Sequence, residues 1–110
     1  LNQWVMETMS SMTAYFELDF FIKEYLMYAK NSQPQTYTYL RNNTSFKSTY
    51  QKIHTKFSQL VITYEAKVNR EKASAEFNYD SPFMDEDYVR LRARLNSGIY
   101  RSIEADFLNN

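Results

Sequence analysis

His54 is the only histidine in the chain, and among these side chains it alone has an ordinary titration range near neutral pH. It follows Ile53, one turn after Tyr50 and just before Phe57. Placed on a cavity wall, it would hydrogen-bond a polar ligand group. Placed at a helix boundary, it would do no chemistry. A metal site is disfavoured, because the chain has no Cys and no second His to complete a ligand set. Three sets of carboxylates are further candidates for acid–base work. Asp85, Glu86 and Asp87 stand at a helix start, where the helix dipole already accounts for them. Glu17 and Asp19 project to different faces, as do Glu104 and Asp106. No Ser or Thr has a general base beside it in sequence. The expectation is no catalytic residue, no metal and no cofactor.

Two broader sets remain. Arg90, Arg94 and Arg101 are spaced by four and seven, with Arg92 nearby, so they share one helical side. They suit phosphates or an acidic partner, or a solvated face paired with Glu86, Asp87 or Glu104. Trp4, Met6, Met9, Met12, Tyr15, Phe16, Tyr25, Met27 and Tyr28 offer adaptable and flat apolar walls. Such residues line a cavity for a small apolar or aromatic molecule, or simply fill a core.

The elements that position these groups are helices. Phe46, Tyr50, Ile53, Phe57, Leu60 and Tyr64 recur at alternating steps of four and three, which puts them on one helical stripe. This helix is expected from about Ser45 to Ala75, with Asn43 or Thr44 as N-cap. A first helix is expected from about Asn2 to Lys30, with a kink or break near Ser11 to Thr13 allowed by the hydroxyls there. Past Phe16 its apolar surface broadens, as for a helix central in a bundle. Ser32 and Gln35 fit a capping box for a short helix from about Pro34 to Arg41. Residues Phe77 to Pro82 read as a loop. Ser81 and Pro82 then start a last helix whose buried face is Tyr88, Leu91, Leu95, Ile99, Ile103 and Phe107.

The 110 residues suit one domain. The expected fold is all-α: an antiparallel bundle of four to five helices with one long central helix. A single Gly and two Pro argue against a β-sandwich and against a glycine-rich phosphate loop. Without Cys there is no disulfide framework. Thirteen basic and thirteen acidic residues leave no electrostatic footprint of a nucleic-acid binder. No apolar run reaches the length of a membrane span, and no signal peptide is visible, so the expected location is cytoplasmic. The sequons at Asn42 and Asn43 gain no support without that signal.

Two stretches carry a resemblance. Phe20-Phe21-Ile22-Lys23-Glu24-Tyr25, leading to Asn31-Ser32-Gln33-Pro34-Gln35-Thr36-Tyr37-Thr38-Tyr39-Leu40, resembles the regulatory domain of TetR-family transcriptional repressors. So does Leu95-Asn96-Ser97-Gly98-Ile99-Tyr100-Arg101-Ser102-Ile103-Glu104, which is similar to that family's last helix, where small residues precede an apolar dimerisation stripe. The resemblance implies an effector-binding and dimerisation domain, with the DNA-binding domain outside this chain and nucleic acid bound only through that segment. It implies a homodimer built as a four-helix bundle from the last two long helices of each subunit. Leu95, Gly98, Ile99, Ser102 and Ile103 would form that interface, with Gly98 admitting the partner helix. Met12, Tyr15, Phe16, Tyr50, His54 and Phe57 would line the effector pocket. The alternative is a helical protein-interaction module, since Met84-Asp85-Glu86-Asp87-Tyr88 and Tyr100 resemble the late helices of regulators of G-protein signalling. A structural accessory protein is the third reading.

Overall fold

The computed structural model describes residues 2–72 and 86–109, which form five helices and, among these residues, no strand. They are α1 (Asn2–Ser32), α2 (Pro34–Asn42), α3 (Thr44–Lys72), α4 (Glu86–Leu95) and α5 (Arg101–Phe107). The all-α expectation holds. None of these helices is long and apolar enough to cross a membrane.

The two long helices run antiparallel. Trp4 stacks on Tyr64 at 6.2 Å, Phe16 meets Phe57 at 5.8 Å, and Leu26 and Ala29 join Tyr50 further along. On α3, Tyr50, Phe57 and Tyr64 are buried, with Phe46, Ile53 and Leu60 half-buried beside them. The core divides into two clusters. One holds Met9, Met12, Phe57, Val61, Tyr64 and Leu91. The other holds Leu26, Ala29, Tyr37, Tyr50, Ile103 and Phe107.

Several local expectations are corrected. α1 passes through Ser11 to Thr13 without a break. Met9 and Met12 are anchored in the core there, while Ser10, Ser11 and Thr13 stay exposed, so their hydroxyls have water to bond. The Ser32–Gln35 capping box does not form. Ser32 is still the last residue of α1, and Gln33 is the N-cap of α2 without a side-chain cap, ahead of Pro34. Asn43 does cap α3: its Oδ1 accepts from the Phe46 N–H at 2.9 Å.

The largest correction lies in the last helix. It is two helices, with a break at residues 96–100. Gly98 sits there at φ +74°, the left-handed region that glycine enters freely. The Ser97 hydroxyl donates to the Arg94 carbonyl at 2.9 Å, closing the end of α4. The break lets α5 turn Ile103 and Phe107 into the second cluster, while Ile99 is 64% exposed. It also parts Arg101 from the side that Arg90 and Arg94 share. The expected loop from Phe77 to Pro82, the Ser81 cap, Asp85 and the end of α3 past Lys72 lie outside the described residues.

Polar contacts tie the short helices down. The Tyr88 hydroxyl donates to Glu65, and Arg92 pairs with the same carboxylate at 2.8 Å, joining α4 to α3. The Tyr37 hydroxyl donates to Asp106, joining α2 to α5. Gln51 donates to the Phe107 carbonyl at 2.9 Å.

Candidate functional site

The inward stripe of α1 is Met9, Met12, Phe16, Asp19, Lys23 and Leu26, again at steps of three and four. Two of those six positions are charged. Asp19 is only 2% exposed and Lys23 5%. Charges this deep persist only when paired. Lys23 Nζ lies 2.9 Å from the Asp19 carboxylate. From α3, His54 Nδ1 lies 3.3 Å from the same carboxylate. The Tyr50 ring stands edge-on to the His54 ring at 6.5 Å.

The electrostatics follow from these distances. Burial pushes the Asp19 carboxyl up, but the His54 hydrogen bond and the Lys23 charge outweigh it, and the net shift is downward. Asp19 is therefore ionised at neutral pH. A carboxylate only accepts, so His54 Nδ1 is the donor in this contact. Burial and the negative charge of Asp19 push the Tyr50 hydroxyl strongly up, so it stays protonated. Above Lys23, Tyr100 closes the cluster: Lys23 Nζ is 5.9 Å from its ring centre. The Tyr100 hydroxyl donates to Glu24, and burial together with that carboxylate pushes it up to about 12.

Two spaces adjoin the cluster. A crevice of about 20 Å³ is bounded by Asp19, Lys23, Arg94, Tyr100 and Glu104, room for one water. On the other side, an open cleft of about 250 Å³ lies between α3 and α4. His54, Phe57, Ser58, Val61, Arg92 and Leu95 line it. No group of three metal-binding side chains occurs among the described residues.

The six expected effector residues are split between the two core clusters. Met12 and Phe57 are buried in the first, with Tyr15 and Phe16 packed half-buried against it. Tyr50 belongs to the second, and His54 stands between. Only His54 and Phe57 share the α3–α4 cleft. The expected dimer stripe is scattered by the break at Gly98. Leu95 packs on the first cluster, Ile103 is fully buried in the second, and Ile99 and Ser102 are exposed. Ile103 serves the core of its own chain.

Two features were missed from sequence. Asp19 and Lys23 are the first; the signal was their place on a stripe otherwise apolar. The second is the opposite face of α1. Leu18, Phe21, Tyr25 and Tyr28 follow one another at steps of three, four and three, and all four are exposed. Phe21 is 69% exposed and Tyr28 55%. α1 packs against α2, α3, α4 and α5, as expected of a central helix, yet its outer side is left uncovered by the described residues. The signal was a second set of three–four steps offset from the inward one.

Comparison with protein families, with curated proteins and with solved structures gives no match to this chain.

Proposed function

We propose that this chain is a helical association domain, which holds its own fold through α1 and α3 and offers the outer face of α1 to a protein partner. The observation that carries this reading is the row Leu18, Phe21, Tyr25 and Tyr28, exposed along α1 opposite its core-facing stripe. The largest apolar patch on a monomer is typically a few hundred Å² and often functional, and larger ones mark docking surfaces. Tyr suits an interface, because it joins a large apolar body to a hydroxyl that can stay wet. The test is Phe21→Ser combined with Tyr28→Ser. Each exposed site should cost no more than about 0.5 kcal/mol of stability, while association measured by sedimentation is lost. A loss of several kcal/mol would mean that the chain itself covers this face, and the reading would fall.

A second reading is favoured by the cleft beside His54. Its walls, Phe57, Val61 and Leu95, are apolar, and His54 and Arg92 add polar groups. This is the composition of a small-molecule site. It agrees with a TetR-like regulatory domain that binds a small apolar or aromatic effector, pairs as a dimer and acts in the cytoplasm on DNA through another segment. Titration with small aromatic acids such as benzoate tests it: a bound ligand raises the unfolding midpoint. A midpoint that stays fixed up to millimolar benzoate and its close analogues would count against it.

A further inference from the structure

We infer that the partner on the outer face of α1 is a second copy of this chain, docked antiparallel about a two-fold axis at the level of residue 23. This rests on the association reading. The stripe Leu18, Phe21, Tyr25 and Tyr28 is symmetric in its spacing about that point. A two-fold operation there sets Leu18 against Tyr28 of the second copy, and Phe21 against its Tyr25. Small meets large at the outer pair, so the two faces fill each other, as an isologous contact requires. In-register parallel pairing would instead continue the same three–four steps back through Ser11 to Glu7. It would set two exposed Glu7 carboxylates against each other in the seam, which a desolvated contact disfavours. The antiparallel register carries Glu7 beyond the end of the opposing helix at Ser32. Glu24, at the edge of the seam, is engaged by the Tyr100 hydroxyl of its own chain.

The area is compatible with a weak dimer. An aromatic side chain buries roughly 150–250 Å². At the exposures of Phe21, Tyr25 and Tyr28, the three rings leave roughly 250–400 Å² per copy to be covered. With Leu18 and the flanking side-chain stems, two copies approach the roughly 1,000 Å² at which specific contacts begin.

The absence of Cys makes the geometry directly readable. Leu18→Cys and Tyr28→Cys are prepared as separate full-length chains. Under mild oxidation, the mixture should give a dimer linking thiol 18 to thiol 28. Leu18→Cys alone should not link, because the axis separates its two copies by roughly 15 Å along the helix, beyond the reach of a disulfide. Adding Phe21→Ser should abolish the cross-link. Sedimentation of the unmodified chain should pass from monomer to dimer as its concentration rises. Self-linking of Leu18→Cys without the mixed product would overturn the antiparallel register. A chain that stays monomeric to hundreds of micromolar would overturn self-pairing. In that case a folding-neutral Phe21→Ser with Tyr28→Ser leaves the association reading standing with a different partner, whereas a destabilised one removes that reading too.

Discussion

Lys23 Nζ lies 2.9 Å from the carboxylate of Asp19, one turn away on the same helix, with both side chains almost wholly out of water. An i,i+4 pair on a helix surface contributes only about 0.3–0.5 kcal/mol. Buried, the same pair behaves differently. Each charge depends on the other, and His54 adds a second contact to the carboxylate.

Removing one member should therefore cost far more than removing both. Lys23→Met leaves Asp19 buried without its counter-charge. The expected loss is about 3–5 kcal/mol in denaturant unfolding. Asp19→Leu combined with Lys23→Met replaces the pair by apolar groups of similar size, and should recover most of that loss or exceed the original stability. Additive losses in the double variant would show that the pair does not act as a unit.

The same carboxylate sets an acid dependence. Its folded pKa is lowered from an ordinary value of 3.8, so the folded state favours the ionised form. Stability from this group is full above the unfolded value and is lost as pH falls through the lower folded value. Unfolding midpoints should thus decline below about pH 4, and Asp19→Asn should flatten that decline. An unchanged slope in Asp19→Asn would place the acid sensitivity elsewhere.

How much of this was legible in sequence depends on how many partners each pattern has. The α3 stripe from Phe46 to Tyr64 was plain, because one side of that helix is apolar and the other polar. The Asn43 cap was visible from local chemistry alone. α1 was legible as a helix but not in orientation. Phe16 on the inner face and Phe21 on the outer give periodicity no single direction to follow. Asp19 and Lys23 gave no sign of pairing in the core, since spacing says nothing of what lies across from them. The run Leu91, Leu95, Ile99 and Ile103 kept helical steps straight through Gly98, and only the backbone at that glycine ends the helix.

Gly98 should therefore resist substitution for backbone reasons. At φ +74° an L-residue carries a penalty of about 1–2 kcal/mol. An added Cβ would also come within 3.1 Å of the Arg101 guanidinium, a flexible group that can move aside. Gly98→Ala should lower stability by about 1–2 kcal/mol, and Gly98→Asn by less, because Asn tolerates the left-handed region. Equal losses for the two would point to the Arg101 contact instead of the backbone.

Phe57 and Ile99 should respond in opposite ways to disruption. Phe57 is 1% exposed and packs against Phe16 from α1. Truncation to Ala opens a cavity between the two long helices, and about 3–5 kcal/mol should be lost. Ile99 lies in the turn between α4 and α5, exposed to water. Ile99→Glu buries no charge there, so stability should change by no more than about 0.5 kcal/mol, and the sedimentation behaviour of the chain should not change. Loss of a dimer in Ile99→Glu, with the fold intact, would move the pairing surface from α1 to the turn before α5. That result would restore the terminal interface implied by the TetR resemblance.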